Sequence, residues 1–173
     1  MAGMFIGESV HKVDNKGRVS IPSDFRVVLQ EHDPTYDPAR GARVVVNYAK
    51  HKQKSHLECY TIEAFEALTK RILAMPAGSR EKRALQAIYL SKAHPAMVDE
   101  TGRMVLPAKC RDPFGIAGEA VFMASGDTFK ILTPEAYEAE MAALESYLDD
   151  LDDDFDPASL LNAYPDTDSG AVH

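Results

Sequence analysis

Between residues 4 and 132 the apolar positions fall into short runs that alternate with polar ones, and only two stretches repeat at helical spacing. Residues 4–13 alternate weakly through Phe5, Gly7, Val10 and Val13 and predict a short strand. Val19 and Ile21 then alternate with Arg18 and Ser20, as in a half-buried strand, until Pro22 removes a ladder donor. Ser23 is placed to cap a short helix over 24–30, and Pro34, Pro38 and Gly41 make 31–43 a loop. Strong strands over 43–48 and 57–62 flank a polar, basic stretch, which predicts a hairpin with a long basic tip. Thr61 caps a helix whose Phe65, Leu68, Ile72 and Met75 recur every three or four residues before Pro76 and Gly78 stop it. Ser79 opens a second helix, striped by Ala84, Leu85, Ile88 and Tyr89, that ends near 91–95. Strands over 103–106, 119–124 and 128–132 follow, and Thr133-Pro134-Glu135 starts another helix with a cap, a first-position proline and an acid in the first turn.

This pattern is written twice. VDNKGRVSIPSDFR (13–26) and VDETGRMVLPAKCR (98–111) share Val, Asp, Gly, Arg, Pro and Arg at a constant offset of 85. CYTIEAFEA (59–67) and ILTPEAYEA (131–139) share Thr, Glu, Ala, Glu and Ala at an offset of 72, so the first half holds 13 more residues between its motif and its helix. The excess maps onto the 31–43 loop and the basic tip. Two such units cannot each bury a face alone, so they pack or interlace about a pseudo-two-fold axis.

Charge modifies the picture at two places. The net charge of -8 argues against a nucleic-acid partner until it is located: eight of the 27 acidic residues lie in 149–173, which has no Lys or Arg, so residues 1–148 carry 19 of each sign. Residues 9–54 are locally basic. The acidic tail, broken by Pro157 and Pro165, reads as mostly disordered, serving as a solubilising extension or as a competitor of DNA for the basic faces. Cys59 and Cys110 do not make a disulfide framework and read as reduced, part-buried thiols. No 18-residue apolar window exists and residues 1–10 do not resemble a signal peptide, so a soluble cytoplasmic protein is expected.

The duplicated turns carry the candidate chemistry. Asp14 and Asp99 can accept from backbone N–H groups two residues on, and Gly17 and Gly102 supply positive φ, so each Asp-x-x-x-Arg is a tight turn that presents Arg18 or Arg103. Planar guanidinium groups on a rigid β scaffold suit phosphates or guanine edges. The same spacing also suits a local Asp–Arg ion pair that only holds the turn, and the two uses are compatible.

With its Met4-Phe5-x-Gly7-Glu8 start, the turns DNKGR and DETGR, the following SIP and VLP, and two half-repeats joined by helices, the chain resembles the MraZ family of bacterial transcriptional regulators over about residues 4–148. The resemblance implies an α+β fold: two pseudo-symmetric AbrB-like swapped-hairpin β units sharing one β-barrel core, with linking and C-terminal helices. It divides the chain into SpoVT-AbrB-type domains at 8–63 and 93–136, a helical linker at 64–92, a C-terminal helix at 137–148 and the acidic tail. It also implies a nucleoid-associated, ring-forming homo-oligomer. That oligomer binds tandem repeats in double-stranded DNA upstream of the division and cell-wall gene cluster that includes its own gene, usually as a repressor. Carried onto this sequence, the DNA-binding residues are Arg18 and Arg103, oriented by Asp14 and Asp99. Lys12, Lys16 and Arg26 support the first copy, and Arg111 with nearby Lys109 the second. Because Lys12 and Lys16 become Met97 and Thr101, the first copy should contribute more to phosphate binding.

No phosphate-cradling glycine loop, nucleophile elbow or catalytic grouping occurs, so no enzyme, small-molecule substrate, cofactor or membrane partner is expected. His51, His56 and Cys59 lack the spacing of a metal site. The basic tip, with Arg43, Lys50, His51, Lys52, Lys54 and His56, is either a phosphate contact or a solvated loop. The competing functional class is an oligomeric protein-interaction module or antitoxin-like partner binder, since AbrB-type folds occur there too.

Overall fold

The computed structural model describes residues 3–166. Eight strands form one antiparallel sheet, nearly closed into a barrel: β1 (Glu8–Val13), β2 (Arg18–Ser20), β3 (Arg43–Asn47), β4 (Leu57–Tyr60), β5 (Ala93–Met97), β6 (Arg103–Val105), β7 (Gly118–Ala124) and β8 (Thr128–Leu132). Their order is β5-β3-β4-β8-β7-β1-β2-β6. The helices are α1 (Ser23–Glu31), α2 (Ile62–Leu73), α3 (Arg80–Leu85), α4 (Ala108–Arg111) and α5 (Pro134–Asp149).

The two copies interlace. β1 of the first half pairs along its length with β7 of the second, from Glu8↔Met123 to Val13↔Gly118. β5 of the second half pairs with β3 of the first, from Arg43↔Met97 to Asn47↔Ala93. At the crossover β2 and β6 pair with each other, Arg18↔Val105, Val19↔Met104 and Ser20↔Arg103. The swap follows from strand length, because three-residue strands with one inward residue each cannot bury a face within their own half. Val19 and Met104, each 1% exposed, meet in the shared core instead. Phe5, Phe25 and Phe129 meet there edge-on or tilted with centroids 4.9–5.1 Å apart, joined by Phe122 stacked on Phe129. Fully burying each such ring contributes about 1.5–3 kcal/mol.

Several local expectations change. Ser23 does not cap α1; Pro22 stands at the cap position with no side-chain hydrogen bond. Thr61 does cap α2, its hydroxyl accepting from the Ala64 N–H, and Thr133 does the same for the Ala136 N–H at α5. The helix opened by Ser79 is α3 continuing as a π-helical turn, Gln86–Ser91, and the chain enters β5 at Ala93. No strand was expected there; β5 is an edge strand whose ladder partner is β3 alone, where the missing N–H of Pro95 is tolerated. The π turn leaves the Ile88 and Tyr89 carbonyls for the buried Asn47 amide.

The basic tip is tied down. Lys54 Nζ donates to Asn47 Oδ1 and the Ala49 carbonyl, and Lys50 Nζ to the Pro113 carbonyl at 2.6 Å. The 31–43 loop is held by Asp33, whose carboxylate accepts from the Arg43 backbone N–H, Nε and Nη2 and from the Thr35 N–H. Burial of both cysteines pushes their thiols up, Cys110 to about 11.

The barrel unit runs to Tyr137. A second unit begins at Glu138 with the rest of α5 and contains, in the segment expected to be disordered, a 3-10 helix over Pro157–Ala163. The Asp156 carboxylate caps it by accepting from the Ala158 N–H. Residues 167–173 of the acidic tail lie outside the described residues.

Candidate nucleic-acid interface

Each repeated turn is built by its own Asp and locked by the opposite half. At the first turn the Gly17 N–H donates to the Asp14 carbonyl, and the Asp14 Oδ1 accepts from the Lys16 and Arg18 N–H groups at 3.0 and 2.9 Å. At the second, the Gly102 N–H donates to the Asp99 carbonyl and Asp99 Oδ1 accepts from Thr101 and Arg103. Across the halves, the Leu106 N–H donates to the Gly17 carbonyl and the Ile21 N–H to the Gly102 carbonyl, both at 2.8 Å. Ile21 and Leu106 are themselves related by the offset of 85, so this is one bond made twice by the pseudo-two-fold.

Both glycines have positive φ, +84° and +82°, and both lie against the other half. A Cβ on Gly17 would run into the Leu106 carbonyl and Arg111 Nε; one on Gly102 would meet the Arg26 guanidinium. Arg26 and Arg111 are therefore half-buried side chains packed behind the turns. Arg111 Nε donates to the Leu106 carbonyl at 2.6 Å, whereas Arg26 Nε has no hydrogen-bond partner among the described residues.

The presented arginines differ in how they are held. Arg18 Nε donates to Asp14 Oδ2 at 2.6 Å, a bond that leaves both Nη groups out of the pair. The Arg18 N–H and then its guanidinium hold the Asp14 carboxyl below its ordinary range. In the second copy Thr101 stands where the first has Lys16, and its hydroxyl intervenes: it donates to Asp99 at 2.7 Å and accepts from Arg103 Nε at 3.0 Å. Arg103 Nε is then 3.9 Å from Asp99 Oδ2. The Thr101 hydroxyl, followed by the Arg103 N–H, keeps the Asp99 carboxyl low. Exposed ion pairs of this kind contribute little to stability, which leaves orientation as their main effect.

The two turns serve one surface. In the β2–β6 ribbon Val19 and Met104 point inward, so Arg18, Ser20, Arg103 and Val105 share the outward face. Arg18 and Arg103 are diagonal neighbours in this register, which sets their Cα atoms about 7–8 Å apart. Their side chains are 45% and 44% exposed, equally available despite their different partners. Lys16 is exposed in the first turn, and Lys12 is exposed on β1 directly across from Glu119. Lys109 is exposed on α4 with Nζ 5.6 Å from the centroid of the Tyr48 ring. Sequence reasoning placed Ser20 outward and the two arginine turns on one surface, but did not give the β2–β6 register that adds Val105.

Among the described residues no cluster of His, Cys, Asp and Glu suits a metal ion, and no helix is long and apolar enough to cross a membrane.

The family model described as MraZ protein, antitoxin-like, matches residues 4–88. A protein of Ruegeria sp. (strain TM1040) named Transcriptional regulator MraZ is 49% identical over 163 residues, covering 94% of this chain and 97% of its own length. The protein of the same name from Ruegeria pomeroyi is 48% identical over the same shares, and that from Leuconostoc citreum 28% identical over 86% of this chain and 94% of its own. An interlaced double AbrB-like barrel and near-full-length identity to such relatives agree: the chain belongs to the MraZ family.

Proposed function

We propose that the chain is a transcriptional regulator that binds double-stranded DNA through the outward face of the β2–β6 ribbon. The observation that carries this reading is the diagonal pair Arg18 and Arg103 on a two-stranded ribbon. The major groove admits such a ribbon, and Arg makes the commonest specific contact there, bidentate to guanine. Asp14 holds Arg18 through Nε and so pre-orders the side chain while its Nη groups remain for DNA. Arg26 and Arg111 pack behind the turns, and Arg111 ties the Leu106 carbonyl there. The names of the relatives support regulation of transcription.

The finer reading is a cytoplasmic, nucleoid-associated repressor that assembles as a ring. It binds tandem repeats upstream of the division and cell-wall gene cluster that includes its own gene. A ring makes modest single-ribbon contacts sufficient, because tandem repeats convert the later contacts into intramolecular ones.

The test is fluorescence anisotropy of the wild type and the Arg18→Ala/Arg103→Ala variant on a duplex from upstream of the chain's own gene and on a shuffled duplex. Each lost base contact should cost about 1–3 kcal/mol, so the preference for the upstream duplex should collapse. Unchanged preference would refute the ribbon as the DNA-reading element and favour a protein-interaction role.

A further inference from the structure

The two sides of the ribbon carry opposite charge. Strand register places the first turn beside the end of β6 and the start of β7, and the contacts of Lys109 with Tyr48 and of Lys50 with the Pro113 carbonyl bring the end of β3 and the start of β5 to the segment that follows β6. The segments gathered there bring Lys12, Lys16, Lys50, Lys52, Lys92 and Lys109 against Asp14, Asp112 and Glu119. The second turn lies beside the end of β2 and α1, on the side where β7 ends and β3 starts. Its segments bring Asp24, Glu31, Asp37, Asp99, Glu100 and Asp127 with Arg26, Arg40 and the paired Arg43 and Asp33. The offset of 85 makes the contrast specific: Asp24 stands where Lys109 does in the other copy, and Gly7 where Lys92 does.

On the basic side the charges are organised around Tyr48. This half-buried residue has Lys109 Nζ 5.6 Å and Lys92 Nζ 5.8 Å from its ring centroid. Its N–H donates to the Lys92 carbonyl at 2.9 Å, which fixes the ring beside β5. Both lysines are exposed, and neither has a carboxylate within ion-pair distance among the described residues. Two ammonium groups held by an aromatic face, without an acidic partner, are prepared to meet an anion. Lys109 is three residues beyond Leu106, which hydrogen-bonds the Gly17 carbonyl, so its Cα lies within about 11 Å of that of Leu106. The platform thus continues the surface that begins at Lys16 and Arg18. Lys109 also helps to depress the imidazolium form of half-buried His94, after desolvation, in keeping with a positive local field.

We infer that DNA lies asymmetrically on each protomer: from the Arg18 turn the sugar-phosphate backbone continues over α4 onto the Lys109–Tyr48–Lys92 platform, while the Arg103 side has no such extension. Lys92 and Lys109 are phosphate-binding residues, and Tyr48 is a positioning residue that holds them. This rests on the DNA-binding reading above.

The experiment measures binding to the upstream duplex across a salt series for the wild type, Lys92→Ala/Lys109→Ala, Arg18→Ala/Arg103→Ala and a charge-matched control, Lys70→Ala/Arg83→Ala, on exposed positions of α2 and α3. Each phosphate contact adds about 0.9 to the slope of log K against log salt, so the platform variant should lose about 2 from the slope for each engaged protomer while the control keeps it. Tyr48→Leu, with every charge retained, should lose part of the affinity. An unchanged slope in the platform variant, with binding lost in the arginine variant, overturns the asymmetric path and leaves the DNA reading intact. Unchanged binding in the arginine variant overturns the DNA reading and the path with it. An equal loss of slope in the control overturns the path as well, because general charge would then suffice.

Discussion

Gly17 and Gly102 occupy equivalent places, yet the same substitution at each should have unequal cost. Alanine at either must hold a positive φ, for about 1–2 kcal/mol. At Gly17 the new methyl meets the backbone carbonyl of Leu106. That carbonyl accepts from Arg111 Nε at 2.6 Å, and the Leu106 N–H donates to the Gly17 carbonyl at 2.8 Å. Relief therefore disturbs two hydrogen bonds worth about 0.5–1.5 kcal/mol each, and Gly17→Ala should cost about 2–5 kcal/mol in all. At Gly102 the methyl meets only the Arg26 guanidinium, a flexible side chain whose Nε makes no bond to be lost, so Gly102→Ala should cost about 1–2 kcal/mol. Urea unfolding followed by circular dichroism, at one protein concentration so that self-association contributes equally, measures both. A gap of about 2 kcal/mol corresponds to about 4–8 °C in Tm for a chain of this size. A Gly102→Ala cost equal to or above that of Gly17→Ala would refute the reasoning, because it would mean that φ alone sets the penalty.

Two further outcomes follow from the same geometry. Asp33, its side chain 1% exposed and bonded to Arg43, has its carboxyl lowered from 3.8 to about 2, by the guanidinium first. A depressed carboxyl contributes stability that is full above its unfolded value and lost as pH falls through the folded one. The wild type should thus exceed Asp33→Asn by up to about 2 kcal/mol at neutral pH, less some screening at the more exposed Arg43, and the gap should close between about pH 4 and 2. Urea midpoints across that range check this, and a gap independent of pH counts against the pair. Thr101→Lys gives the second turn the first turn's residue and removes the hydroxyl between Asp99 and Arg103. The DNA salt slope should steepen by about 1 for each engaged copy, and anisotropy titrations reporting no change would show that the second turn does not approach phosphate.

Much of this was legible in the chain because the motif is local. The Asp-to-N–H bonds, the positive-φ glycines and the Thr61 and Thr133 caps depend on residues within four positions of one another, and their side-chain chemistry specifies them. What could not be read is what the other half supplies. Arg26 and Arg111 look in sequence like further basic DNA contacts; the interlaced pairing carries each behind the opposite half's turn. Pro95 hid β5, since an edge position is a property of the finished sheet and not of the residue. The basic tip reads as solvated because Lys50 and Lys54 gain their acceptors, the Pro113 carbonyl and Asn47 Oδ1, only when remote elements close over them.

The duplication explains why one half of the fold diverged where it did. Positions making the reciprocal bonds, Gly17 with Leu106 and Gly102 with Ile21, are constrained twice, because each serves its own turn and the other half's strand. Positions on the outer rim serve one copy alone and can differ without disturbing the barrel: Lys16 against Thr101, Lys109 against Asp24, Lys12 against Met97. Every one of these differences places the positive charge on the same side of the ribbon. A symmetric scaffold thereby acquires a polarity: on the proposed DNA path, inverting a site would bring the acidic rim to phosphates that the Lys109–Tyr48–Lys92 platform would otherwise hold.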